Sequence, residues 1–434
     1  MSLEVLAGII GFVVMFGLFF VGLEIAFTMG FVGFLGYWYL VSFHGASTLL
    51  AKDAFDVFSS YSLTVVPLFI FMGQLAANSG IGKKLYESAH KYVGHVPGGL
   101  AMATVIGCTL FGAICGSTTA TAATFSSVAV PEMRRFKYHD KLIGGSIASS
   151  GGLGIMIPPS VIFIVYGIFT QQSIGSLFLA GIIPGLLICL SFVMAIYCWC
   201  LKNPLLGPKS NRFTWRDRLK SLPGAIEIVI IFAIVMGGML KGFFTPTEGG
   251  AVAAFATLLL VMITRSIRMK GIGRAALDTL LSSCMIMAVV YGATVFGRFL
   301  AVTNIPFDVA EWVGGLNLPR IVIMGLIMLI YLIGGCIIDA LALIILTIPI
   351  FFPVITQLGF DPIWFGVIIV VITMMGVITP PVGMNSYVVA GISKIPLPTI
   401  FRGIWPFLLA LCACAAVLII FPQLALFVPA MFAK

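Results

Sequence analysis

The chain has 434 residues, of which 60% are hydrophobic and only 9% charged. That excludes a soluble enzyme or a soluble binding module, because water-soluble domains carry roughly a quarter charged residues. The net charge of +9 is spread over short loops, so it argues for orientation in a membrane and against a nucleic-acid partner.

Apolar runs long enough to span a bilayer recur from end to end, which predicts an all-α polytopic membrane protein. Leu3–Phe20 and Ala26–Leu40 read as the first two spans. The first has no basic flank and no small-residue cleavage site, so it reads as a span and not a removable signal. Ser42–Tyr61 reads as a polar connection and Leu63–Asn78 as the third span. Ile81–His95 puts Ile81, Leu85 and Ala89 on one helical face and Lys83 and Lys84 off it, the pattern of an interfacial amphipathic helix.

Pro97–Pro131 is too short for two spans, which need roughly 40 residues with their turn. Its centre, Gly112–Ser127, is crowded with Gly, Ser and Thr. A re-entrant hairpin bent at Gly116–Thr119 accounts for both features. Lipid does not tolerate such a bend, whereas a protein-lined cavity does. Leu142–Thr170 is apolar but carries Ser149-Ser150-Gly151-Gly152 and then Pro158-Pro159, which predicts a helix broken near mid-membrane. Leu177–Leu201 leads into a polar linker around Lys202–Lys220.

The second half repeats this plan. Pro223–Leu240, Glu248–Thr264 and Ala276–Leu300 read as spans and Thr303–Gly315 as a short interfacial segment. Pro319–Pro353 reads as a second hairpin bent near Gly334–Asp339, and Ile363–Ile392 as a second helix broken at Gly376–Gly383. Trp405–Phe421 is the last span, before a short apolar tail. A shift of 222 superposes Pro97 on Pro319, Pro131 on Pro353, Pro158 and Pro159 on Pro380 and Pro381, and Pro184 on Pro406. Gly112, Gly144, Gly154 and Gly181 fall on Gly334, Gly366, Gly376 and Gly403 without a gap. This is an internal repeat. It divides the chain into a first repeat at 1–210, with hairpin 98–131 and broken helix 142–170, a linker at 211–222, and a second repeat at 223–434, with hairpin 319–353 and broken helix 363–392.

Segments 80–97, 131–141, 201–222, 265–274 and 394–402 hold nineteen of the 24 Lys and Arg residues, which places them in the cytoplasm. The loop after the first hairpin carries Arg134, Arg135, Lys137 and Lys141, while its twin after the second carries no Lys or Arg. The repeats are therefore inverted, with both hairpin tips meeting near the midplane.

Inverted repeats with broken helices are the plan of a secondary transporter. Half-helix N-termini face an anion, and unwound carbonyls can hold Na⁺. The first candidate Na⁺ site combines Ser117 with Gly152, Gly154 and Ser160. The second combines Gly335 with Gly376, Thr379 and Val382. Thr118, Thr119, Thr121, Asp339, Asn385 and Ser386 are candidate substrate contacts. A plainer reading stands beside each. Membrane hydroxyls also bond their own i−4 carbonyls, Asp339 could cap the half-helix after it, Glu24 and Glu248 read as interface residues, and Arg298 reads as snorkelling. The nine cysteines are scattered through apolar segments without zinc or redox spacing. A serine intramembrane protease would need a His in the membrane and an aspartyl one two acids, and neither set is present. A channel fits two inverted halves less well than alternating access does.

At GSTTATAATFSS with GLGIMIPPS, and at IIDALALI with GVITPPVGMNS, the chain resembles the large membrane (M, DctM-like) subunit of tripartite ATP-independent periplasmic (TRAP) transporters, over essentially its whole length. The resemblance implies an elevator-type ion-transporter fold in a bacterial inner membrane. It implies Na⁺-coupled uptake of an organic acid, chiefly sialic acid or a C4-dicarboxylate. The expected partners are a small four-helix membrane subunit and a periplasmic binding protein that delivers the substrate. A stand-alone Na⁺/carboxylate symporter is the alternative.

Overall fold

The computed structural model describes residues 3–210, 212–315 and 318–432. Position 211, which opens the expected linker, lies outside them, as do 1–2, 316–317 and 433–434. Among the described residues the chain is helical, with one 3-10 turn and no strand.

The first repeat opens with α1 (Leu3–Phe20), α2 (Ile25–Leu40) and α3 (Phe43–Phe58), followed by a 3-10 turn at Tyr61–Thr64 and α4 (Val65–Asn78). The arm α5 (Ile81–Val93) follows. Next come the hairpin α6 (Gly99–Cys115) and α7 (Thr118–Arg135), and the broken helix α8 (Asp140–Gly151), α9 (Leu153–Met156) and α10 (Val161–Thr170). The repeat closes with α11 (Ile174–Lys202). The linker contains α12 (Trp215–Ser221). The second repeat has α13 (Pro223–Leu240), α14 (Pro246–Ile263), α15 (Met269–Thr303), the arm α16 (Ile305–Gly315), the hairpin α17 (Arg320–Gly335) and α18 (Ala340–Gln357), the broken helix α19 (Pro362–Gly376) and α20 (Met384–Ser393), α21 (Leu397–Ile420) and α22 (Gln423–Phe432).

Offset by 222, α6 and α7 overlie α17 and α18, α8 with α9 overlies α19, and α10 overlies α20. The long α15 takes the place of α3, the 3-10 turn and α4 together. The pseudo-twofold axis passes between α11 and α21, where the Cys414 thiol donates to Ser191 Oγ at 3.3 Å, two residues 223 positions apart.

Three elements differ from the sequence reading. Ser42–Tyr61 is not a polar connection but mostly α3: Ser42 Oγ caps it by accepting from Gly45 N at 3.1 Å, and Ala46, Asp53 and Val57 form its buried face. Arg298 does not snorkel alone; its guanidinium lies 3.2 Å from the buried Asp53 carboxylate. The hairpins outrun their prolines, since Pro131 and Pro353 sit inside α7 and α18, near their C-terminal ends. Glu248 closes a capping box with Thr245 at the start of α14, a structural role worth about 1 kcal/mol.

Candidate functional site

The first hairpin turns because α6 ends at Cys115, Gly116 takes a left-handed φ of +60°, and Ser117 caps α7 by accepting from Ala120 N at 3.4 Å. The adjoining helix stops at Met156, and Ile157–Ser160, with Pro158 and Pro159 inside, carries the chain to α10. Glycines let the two turns touch. A Cβ added to Gly112 would lie 2.9 Å from Gly154 Cα, and one on Gly154 would lie 2.6 Å from Ser117 O and 2.7 Å from Thr121 Oγ1. A Cβ on Gly116 would meet Pro159 O at 3.2 Å. The Ser117 carbonyl and the Thr121 hydroxyl thus lie beside Gly154, and the Pro159 carbonyl faces Gly116 at the hairpin turn. Ser160, fully buried, adds a hydroxyl with no hydrogen-bond partner among the described residues.

These oxygens sit where four half-helix ends meet. The C-termini of α6 and α9 bring partial negative charge, suited to a cation, and the N-termini of α7 and α10 bring partial positive charge, suited to an anion. Thr121 Oγ1 donates to Ser117 O at 2.7 Å, its own i−4 carbonyl, and Ser117 Oγ lies 3.3 Å from Thr119 Oγ1. Thr118 is buried at the first turn of α7. Gly152 backs onto Met374 of the second repeat.

At the second hairpin α17 ends at Gly335, and α19 ends at Gly376. A Cβ on Gly376 would lie 2.6 Å from the Gly335 carbonyl carbon and 3.1 Å from Cys336 N. Gly383 N donates to Cys336 O at 3.3 Å, tying the break to the hairpin turn. Thr379 folds back on α19, its amide donating to Gly376 O at 2.9 Å and its hydroxyl to Met375 O at 2.5 Å. Val382 is half-buried beyond it. Asp339 is the cap of α18, accepting from Leu341 N at 3.0 Å. Ser386 Oγ donates to Ile378 O at 3.1 Å.

Asn385 does something the sequence did not show. It is fully buried and its Nδ2 donates across the repeat boundary to Ala148 O at 3.2 Å, leaving Oδ1 without a partner among the described residues. Ser149, which follows Ala148 in α8, also has a buried hydroxyl with no partner among the described residues. Ser149 was legible only as part of a helix-breaking run. Unpaired polar atoms buried this deeply are costly unless something binds them.

The two sites differ in cover. Residues 151–160 are all buried, whereas their second-repeat counterparts Thr379 and Val382 are half-buried and Pro380 and Pro381 are exposed. The first hairpin tip is seated on α4, since a Cβ on Gly73 would lie 3.0 Å from Cys115 Cα. The second tip is more open among the described residues: Ile337, the twin of Cys115, is 49% exposed, and Ile321, Leu326, Ile330 and Ile333 leave one face of α17 open.

Residues 12–424 match the family model described as tripartite ATP-independent periplasmic transporter, DctM component. The chain belongs to the DctM family of TRAP transporter large permeases. It is 34% identical over 418 residues to the sialic acid TRAP transporter large permease SiaM of Vibrio cholerae, covering 96% of this chain and 97% of that one. It is also 34% identical to the C4-dicarboxylate permease DctM of Pseudomonas aeruginosa, covering 88% and 89%. The ectoine permease TeaC of Halomonas elongata is 31% identical over 414 residues, covering 95% and 96%. The fold matches the crystal structure of the YdaH transporter of Alcanivorax borkumensis with a TM-score of 0.64 at 14% identity, over 88% of each chain. As a DctM member with eight helices long and apolar enough to cross a membrane among the described residues, the chain is a multi-pass inner-membrane protein.

Proposed function

We propose that this permease imports an organic acid coupled to Na⁺, receiving the acid from a periplasmic binding protein and working with a small four-helix membrane subunit. The carrying observation is the oxygen cluster at Ser117, Thr121, Pro159 and Ser160, gathered where two hairpin ends and two helix-break ends face one another. Na⁺ is cargo here. It would take the Ser117 and Pro159 carbonyls and the Ser160 hydroxyl, with Gly154 keeping the space open. Gly335, Gly376 and Thr379 frame the second ion site.

The acid would lie between the tips, its carboxylate toward the N-terminal ends of α7 and α18, with Thr118, Thr119, Asn385 and Ser149 as polar contacts. Curated relatives equally similar to this chain are named for sialic acid and for C4-dicarboxylates. Overall identity does not separate those substrates, so sialic acid and succinate are both to be tried.

The unequal seating of twin elements supports an elevator motion. Gly73 of α4 meets one tip, while Ile337 at the matching tip and one face of α17 are exposed. Moving the hairpins, broken helices, α11 and α21 as a body past α1–α4 and α13–α15 would exchange those roles.

The test is uptake of labelled sialic acid and succinate into proteoliposomes holding this chain, its small subunit and a cognate binding protein. Uptake requiring both an inward Na⁺ gradient and the binding protein supports the proposal. Uptake without the binding protein would point to a stand-alone symporter, and passive Na⁺-independent flux to a channel.

A further inference from the structure

The repeat leaves one groove filled and its twin open. In the first repeat, the groove between the N-terminal ends of α6 and α8 and the C-terminal end of α11 is plugged by the linker after α11. Gly98 N donates to Gly207 O at 2.8 Å and His139 N donates to Leu206 O at 3.0 Å. A Cβ on Gly207 would touch Gly98, Cys200 and Leu142.

The twins of those three residues are Arg320, Pro422 and Trp364, and all three line an open cavity of about 400 Å³ between α17, α19 and α21. Among the described residues the chain after α21 does not plug it; it forms α22, which packs against α11. By the charge of the loops, this groove opens at the membrane face opposite the linker.

Its chemistry is divided along its length. At the mouth, the exposed Arg320 lies 5.8 Å over the Phe360 ring, which stacks on Trp364. Asp361 shares the mouth, one carboxylate oxygen accepting from Ile363 N and Trp364 N. The amides that match the two donors of the plugged groove belong to Arg320 and Asp361. Deeper in, Met324 and Met328 line the apolar wall of α17, roughly 12 Å below the mouth at Met328 by helix rise. Gly325 leaves room there, with no atom within 4 Å of a Cβ.

We propose that this groove binds a zwitterionic phospholipid bearing a primary amine. The phosphate meets Arg320 and the two helix-start amides, replacing the linker carbonyls of the first repeat. The ammonium meets Asp361, and an acyl chain fills the Met324–Met328 wall. Charge complementarity selects this occupant: a purely anionic headgroup would face Asp361, and a quaternary amine could not donate to it.

Native mass spectrometry of the full-length chain in mild detergent tests this, with phosphatidylethanolamine, phosphatidylcholine, phosphatidylglycerol and inorganic phosphate as separate probes. Phosphatidylethanolamine should be retained best and inorganic phosphate should not displace it. Arg320→Gln should lower its occupancy about tenfold through loss of a charge-assisted contact. Gly325→Leu, which fills open space, should do the same by blocking the chain. Equal retention by both variants would overturn the proposal, as would displacement by phosphate. So would a photoreactive side chain at Ile321 that captures a protein subunit in place of lipid.

Discussion

Gly152 and Met374 are 222 positions apart in the chain and in contact in the fold, a Cβ on Gly152 lying 3.1 Å from Met374 Cε. Twin residues can touch only on the axis relating their repeats. The contact fixes that axis between the two broken helices, beside Ser149 and close to the element that carries Asn385. Gly152 is thus an axial packing residue, and its neighbours hold the unpaired polar atoms.

Gly154→Val would drive a side chain into Ser117 O and Thr121 Oγ1. Transport should fall at least about tenfold, because the Ser117 carbonyl, one of the proposed Na⁺ ligands, is pushed out of place. Gly237→Ala, which meets no atom within 4 Å of its Cβ, should transport as the parent does. Initial uptake rates in proteoliposomes distinguish the two.

Ser160→Ala removes a buried hydroxyl that has no partner among the described residues. Thermal stability without Na⁺ should be unchanged or slightly higher, since no protein hydrogen bond is lost. The Na⁺ concentration for half-maximal uptake should rise about tenfold, the worth of one charge-assisted contact. Equal Na⁺ dependence with normal expression would remove Ser160 from the site.

Arg298→Met leaves Asp53, 1% exposed, without its cation. Removing one partner of a buried pair costs about 3–5 kcal/mol, and the half-exposed guanidinium reduces that to roughly 1–3 kcal/mol. The melting temperature in detergent should drop, and Arg298→Met with Asp53→Asn should recover most of the loss.

His90 joins the arm to the linker. Its Nε2 lies 3.0 Å from Ser210 Oγ, and its ring packs edge-on against Phe136 and Phe213. Burial pushes its pKa below the ordinary 6.5, with Glu132 and Glu87 pulling it back up and Lys91 assisting the fall. The docked state therefore binds fewer protons than the released one. Its His90 contribution is full above about pH 6.5 and is lost as pH falls below that value. Hydrogen exchange at 206–210 and 212–213 should speed up on acidification, and His90→Gln should flatten the response.

The repeats, bends and breaks were legible because Pro and Gly punctuate a membrane helix wherever they fall. The approach of Gly154 to Ser117 follows from the same glycines. The pairing of Asn385 with α8 was not legible, since it crosses the repeat boundary and no local pattern encodes it. Nor was α3, whose Lys52, Asp53 and Asp56 read as a loop until Arg298 is seen beside Asp53. The unequal seating of the hairpins was invisible for a different reason: a symmetric sequence pattern cannot say which twin is docked.

Met72 and Ile114 line one small cavity at the seated tip, and their twins are Thr294 and Cys336. The deciding measurement is cross-linking of Thr294→Cys to native Cys336 in membranes, in a background without the other eight cysteines. The exchange of roles predicts that the pair bridges, with Cα atoms coming within about 7 Å, and that bridging stops uptake which reduction restores. A pair that never bridges, with or without Na⁺ and substrate, in a protein that still transports would contradict the account.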